Sequence, residues 1–122
     1  MDSGQFSENP QFAIRNSQSA IATAVKKRVK RVMWERVGIL RDKESLQRAL
    51  REFDQIAKSN LSMSSTNFVA LAMLVAKAAL WREESRGGHF RTDFPEQHEK
   101  WRVHSIQKLS SAIASSGKIS FD

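Results

Sequence analysis

FVALAMLVAKAALWREESRGGHFRTDFP, Phe68 to Pro95, holds the two features on which the reading of this chain turns. Its first half is apolar on nearly every helical face, with Lys77 the only charge before Arg82. Such a helix is expected to be the most buried element of its fold. Its alanines, at positions 70, 72, 76, 78 and 79, allow neighbouring backbones to approach closely. The second half is densely charged and broken by Gly87-Gly88. A glycine pair there offers a left-handed stop for the helix. The charges alone read as a helix end satisfying itself through local ion pairs, each worth roughly 0–1 kcal/mol when exposed. Gly-Gly, a histidine, two phenylalanines and a proline directly after a buried helix point further, to an ordered loop packed on another domain.

Working outward, residues 17–36 read as a helix with Ile21, Val25, Val29 and Val32 on one stripe. Lys26, Lys27, Lys30 and Arg31 flank it, and Trp34 falls nearly opposite the valines. Either lysine stems cover that indole or something docks on it. Gly38 breaks the helix. Asp42 then suits an N-cap, with Glu44 in the first turn and Leu46, Ala49, Leu50, Phe53, Ile56 and Ala57 forming an amphipathic stripe to about Lys58. The third helix is expected from about Asn67, capped by Ser64, Ser65 or Thr66. The fold class is therefore all-α: a three-helix bundle over 17–95, preceded by a polar tail, 1–16, and followed by an irregular extension, 96–122. In that extension KWRVHSI alternates like a strand, while Pro95 could open a helix.

Composition narrows the function. One domain accommodates 122 residues, and the absence of cysteine excludes disulfides and thiolate metal sites. The run from Asn60 to Ala76 is short and serine-rich for a membrane span, and the first fourteen residues lack the basic start of a signal peptide. A cytoplasmic protein is expected. Between Lys26 and Arg51 lie ten Lys/Arg and three acids, so this window carries the whole net charge of +7. It is either a solvated face or the side turned to an acidic partner.

Ser85, His89 and Asp93 are spaced by four, but Gly87-Gly88 interrupts any helix that would align them as a triad, and no nucleophile elbow is present. The three histidines, 89, 98 and 104, lack the spacing of helical metal ligands, so no metal site is assigned. No glycine-rich phosphate loop occurs. Lys26, Lys27, Lys30 and Arg31 with Trp34 suit a small basic nucleic-acid-binding module, but no recognised nucleic-acid motif accompanies them.

The order Arg82-x-Glu84-Ser85-Arg86-Gly87-x-His89-Phe90-Arg91-x-Asp93-Phe94-Pro95 resembles a run in one flavoprotein family. The family comprises L-aspartate oxidase and the flavoprotein subunits of succinate dehydrogenase and fumarate reductase. VMWERVGILRDKESLQRAL, Val32 to Leu50, resembles the passage that precedes that run, and Trp101 and His104 fit its W-x-x-H. The resemblance covers about residues 20–104, and Met33-Trp34 leans toward L-aspartate oxidase. It implies the family's C-terminal helical domain. The FAD-binding and capping domains, which hold the cofactor and the catalytic side chains, are expected to lie outside this chain. No catalytic or cofactor-binding residue is then assigned here. Trp34, Arg82, Glu84, Arg86, His89, Arg91 and Asp93 are the residues expected at the interface with the flavin domain, and self-association is a further expectation. The implied activity of the parent is FAD-dependent oxidation of L-aspartate to iminoaspartate in NAD biosynthesis. A succinate dehydrogenase or fumarate reductase parent is the alternative.

Overall fold

The computed structural model describes residues 10–107 and 117–120, with side chains over 19–107. Three helices form the body: α1 (Pro10–Arg36), α2 (Lys43–Ala57) and α3 (Met63–Trp81). A 3-10 turn (Glu99–Trp101) and two short strands, β1 (Val103–Ile106) and β2 (Gly117–Ser120), make up the extension. The strands pair antiparallel, Val103 opposite Ser120 and Ile106 opposite Gly117. The bundle with an irregular extension is the fold expected, and the strand-like alternation of KWRVHSI becomes β1. Within the irregular extension expected over 96–122, residues Gly117–Ser120 form β2.

Each boundary has a local cause. α1 begins at Pro10 rather than at residue 17, so much of the supposed tail is helix. Proline suits a first helical position because its missing N–H would have no helical partner there. Residues 1–9 of that tail lie outside the described residues. Gly38 ends the helix: a Cβ at this position would press into the carbonyl oxygen of Trp34. Asp42 caps α2 as its sequence suggests, its carboxylate accepting the N–H of Ser45 at 2.7 Å. α3 starts four residues earlier than expected, because Ser62 takes the cap and accepts the N–H of Ser65 at 3.2 Å. Its far end is Trp81, with Arg82 extended (φ −83°, ψ 100°), so Gly87-Gly88 is not its C-cap.

The core is a single cluster drawn from all three helices. Val29 and Val32 of α1 meet Leu46, Ala49, Phe53 and Ile56 of α2 and Val69, Ala72, Ala76 and Ala79 of α3. The alanines let α3 lie close against its neighbours, as expected. All-round burial of α3 does not follow. By length and composition alone α3 could cross a membrane, but one stripe is buried against α1 and α2 while Leu71 and Val75 face outward. A helix apolar on every side has here spent only part of its apolar surface.

Gly38→Ala should therefore destabilise the chain by about 1–3 kcal/mol, since the clash is with rigid backbone. Gly88→Ala, where an added Cβ meets nothing within 4 Å, should stay within about 0.5 kcal/mol of the parent. Urea denaturation of the two variants compares them directly.

Candidate functional site

The charged run after α3 folds back over the end of that helix. Its centre is Arg91, whose side chain is 1% exposed. One terminal nitrogen, Nη1, donates to the carbonyls of Ala79 (3.1 Å), Leu80 (2.8 Å) and Arg82 (3.3 Å). Those carbonyls end a helix and have no N–H of a following turn to receive them. Nε and Nη2 donate to the two oxygens of Asp93 at 2.9 and 2.7 Å. Asp93 also accepts the N–H of Lys43, the first residue of α2, at 3.1 Å. A cation thus sits at the negative end of one helix and its anion at the positive end of the next, the favourable sense for both. The bond from Arg91 holds the Asp93 carboxyl below its usual range; burial opposes this and the Lys43 N–H adds to it.

A second buried anion organises the other side of the loop. Glu84 is 0% exposed and its two oxygens take four donors. They are Arg82 Nη1 (2.7 Å), Arg86 Nε (2.9 Å), Arg86 Nη2 (3.2 Å) and the backbone N–H of His98 (3.1 Å). Burial alone would raise this carboxyl, but the bonds from Arg86, His98 and Arg82 outweigh it and the group lies below its ordinary value. Arg82 also donates to the carbonyls of Trp101 and Val103, tying the extension to the bundle. Trp101 meets Trp81 edge to face, ring centres 4.7 Å apart.

Between these anchors, Arg86 and His89 exchange backbone bonds of 2.8 and 3.0 Å across Gly87-Gly88. The glycines therefore form a hairpin tip, and Gly87 takes φ 59°, a left-handed value that favours glycine. Ser85 Oγ donates to the Phe94 carbonyl (2.8 Å) and accepts the Arg91 N–H (2.9 Å). His89 Nδ1 lies 2.7 Å from Arg41 Nη1, and Nε2 lies 3.0 Å from the Arg82 carbonyl. Arginine can only donate, so Nδ1 accepts and the proton resides on Nε2. Burial keeps the His89 pKa below its usual value despite the Arg82 carbonyl, and the charges of Arg41, Arg91 and Arg82 act in the same direction as burial.

Beside the hairpin runs an open groove of about 570 Å³ between α1 and α3. Phe68, Leu71, Ala72 and Val75 line it from α3, Met33 and Trp34 from α1. Ile39, Arg41 and Gly88 border it too. Trp34 is 77% exposed, Ile39 76% and Leu71 60%. Lysine stems therefore do not cover Trp34. Contiguous exposed apolar surface of this kind marks an interaction site.

The structure brings Arg82, Glu84, Arg86, His89, Arg91 and Asp93 into one corner, with Trp34 across the groove from its tip. Glu84 and Arg91 are enclosed by this chain itself, so their charges are used in shaping the loop. They pair locally, as the charge pattern suggested, but in buried rather than exposed bridges. Ser85, His89 and Asp93 are bonded to other partners and form no triad. Sequence reasoning missed Arg41, Ile39 and Leu71 as groove residues. Ile39-Leu40 after the helix-breaking Gly38 was the available signal, since a turn rarely needs two large aliphatic residues. Among the described residues no group of three His, Asp or Glu is placed to hold a metal.

Residues 60–119 match the family described as fumarate reductase flavoprotein C-term. This chain belongs to that flavoprotein family, in its C-terminal helical domain. An FAD-dependent oxidoreductase of Methanocaldococcus jannaschii is 39% identical over 66% of the chain. The L-aspartate oxidase of Pyrococcus furiosus is 35% identical over 70% of it. The fumarate reductase flavoprotein subunit of Helicobacter pylori is 29% identical over 83% of it. The chain spans 17% of the length of each of these relatives. A chain of the Mycobacterium smegmatis Sdh1 complex in the apo form has the same fold over 81% of this chain and 20% of its own, with a TM-score of 0.68 at 23% identity.

Arg91→Met should destabilise the fold by about 3–5 kcal/mol, because it removes the cation from Asp93 and uncovers the carbonyls of Ala79 and Leu80, while that of Arg82 keeps the His89 N–H. Denaturant unfolding measures this, and Arg91→Lys should fall between Met and wild type, a single ammonium being unable to reproduce the fork. His89 gives a pH signature. The folded chain binds the His89 proton more weakly than the unfolded chain, so the unfolded state takes up protons first on acidification. Stability from His89 is therefore present above about pH 6.5 and is lost as pH falls below it, toward the lower folded value. Melting temperature should drop over that range, and His89→Gln, which keeps one acceptor and one donor, should flatten the drop.

Proposed function

We propose that this chain is the docking domain of an L-aspartate-oxidising flavoenzyme, and that the groove between α1 and α3, with the adjoining hairpin, seats the flavin-binding portion. The observation that carries this reading is the exposed apolar wall of Trp34, Leu71 and Val75, joined by Ile39 of the turn after α1, on helices whose other sides already close a core. The relatives are about six times longer than the matched segment, so in them the corresponding face has a large neighbour available.

In such a parent, FAD would be held outside this chain and would supply the hydride acceptor for oxidation of L-aspartate to iminoaspartate in NAD biosynthesis. The residues described do not suit the flavin itself. The sequence contains no glycine-rich loop opening a helix, and the Gly87-Gly88 hairpin already spends the N–H groups of Arg86 and His89 on each other. The chain's own contribution is structural: Arg91, Asp93 and Glu84 hold the loop in shape, while Trp34, Arg86 and His89 border the docking face. The basic side of α1, with Lys26, Lys27, Lys30 and Arg31 exposed, favours an acidic neighbour. Met33-Trp34 and the 35% identity to the Pyrococcus furiosus enzyme favour aspartate. A succinate dehydrogenase or fumarate reductase parent remains the second reading, favoured by the Helicobacter pylori alignment over 83% of the chain.

The test pairs the chain with the Pyrococcus furiosus L-aspartate oxidase cut ahead of its matching segment, and separately with the Helicobacter pylori subunit cut likewise. Sedimentation should give a one-to-one complex, tighter with the first, in which aspartate reduces the flavin faster than in the cut enzyme alone. The chain by itself should show no turnover. Absence of a complex with either partner refutes the docking reading, and a preference for the second partner with succinate as reductant selects the alternative parent.

A further inference from the structure

Arg41 is the exception among the arginines of the corner. Arg82, Arg86 and Arg91 each pair with a carboxylate at 2.7–2.9 Å. Arg41 has no carboxylate within 4 Å among the described residues, although it is half-buried and burial pulls its pKa below the ordinary arginine value. Its Nε donates to the carbonyls of Val37 (3.0 Å) and Gly38 (3.2 Å), and Nη1 donates to His89 Nδ1 (2.7 Å). Its backbone is fixed as well, Arg41 N–H donating to the Phe90 carbonyl and Thr92 N–H to the Arg41 carbonyl. Nη2 has no hydrogen-bond partner among the described residues and is not fully buried. The side chain lines the groove, where Lys30 is the only other charged lining residue among the described residues and Phe68, Leu71, Ala72 and Val75 form the floor.

A partly desolvated cation beside apolar surface gains strongly from a carboxylate, because the dielectric there is low and the bond is charge-assisted. The guanidinium is also already oriented, so little side-chain entropy remains to be lost on pairing. His89 maintains that orientation by staying neutral: a proton on Nδ1 would face the Arg41 donor.

We infer that Arg41 is a preset carboxylate anchor, and that the groove takes a segment of the flavin-binding portion that sets an apolar side chain on Leu71 and Val75 and an Asp or Glu against Arg41. The inference rests on the docking reading and adds the chemistry of the partner. Charge complementarity selects this occupant over a second copy of the chain: among the described residues the groove lining carries two cations and no acid, so two copies meeting face to face would oppose like charges.

The experiment measures affinity of the whole 122-residue chain for the cut Pyrococcus furiosus L-aspartate oxidase across a range of salt concentrations. Arg41→Gln should bind about tenfold or more weakly than wild type and show a flatter salt dependence. Arg41→Lys should recover part of the affinity. If wild type binds and Arg41→Gln matches it in affinity and salt dependence, the anchor is refuted while the docking reading stands. If wild type does not bind, both fall. If only self-association is seen, abolished by Arg41→Gln, the occupant is a second copy and the inference as stated is overturned. Should Arg41→Gln fail to fold, the arginine side-chain nitrogen resonances of wild type decide. The Arg41 signal must shift on complex formation, and an unmoved signal overturns the anchor.

Discussion

The pair Arg91–Asp93 joins the end of α3 to the start of α2, and the geometry of the whole corner depends on it. Helix ends carry unsatisfied backbone groups, and burying them unanswered costs free energy. Here one ion pair answers both ends: the guanidinium takes three carbonyls and the carboxylate takes the first N–H of α2. An ion pair buried for its own sake contributes little, since desolvation offsets attraction. This one is different because its remaining hydrogen-bonding capacity is used by the backbone. That backbone must pass this point if α2 and α3 are to share a core.

The rest of the loop follows from that anchor. With Arg91 drawn into the helix end, the chain before it must turn back tightly, which Gly87 permits at φ 59°. The turn delivers His89 to Arg41 and so ties the α1–α2 connection to the loop after α3. Glu84 performs the matching task on the other side, collecting Arg82, Arg86 and the N–H of His98 so that the extension packs on Trp81. The charged run is therefore an interior structure made from residue types usually found outside. Its outward products are a rigid hairpin tip and the rim of a groove.

How much of this was legible in the sequence varied with the range of the interaction. Asp42 as a cap, the α2 stripe and the alanine-rich approach of α3 are local patterns, and each is found in the structure. The start of α3 was misplaced because several serines compete as caps within LSMSST, and only packing selects Ser62. The role of Arg91 could not be read locally, because its target carbonyls lie nine to twelve residues earlier, across a glycine pair that itself looked like the helix stop. Arg41 was hidden by its company. In a block of ten Lys and Arg it counted as one more surface charge, and only the fold shows it turned to His89 and, among the described residues, without a carboxylate.

The apolar excess of α3 bears on why such a domain exists at all. A helix apolar all round is normally the centre of a larger core. Here α1 and α2 cover one stripe with Val29, Val32, Phe53 and Ile56, and leave Leu71 and Val75 facing outward beside Trp34 and Ile39. Covering the second stripe internally would require a fourth helix. Leaving it open gives two surfaces on one rod, one that closes the core of the domain and one that the proposed docking would use. The first is built from Val69 and small alanines suited to close helix contact, and the second sets Phe68 and Leu71 beside Val75. Because the same rod carries both, a substitution that shifts α3 in its own core must also move the groove, and the proposed docking would change with stability.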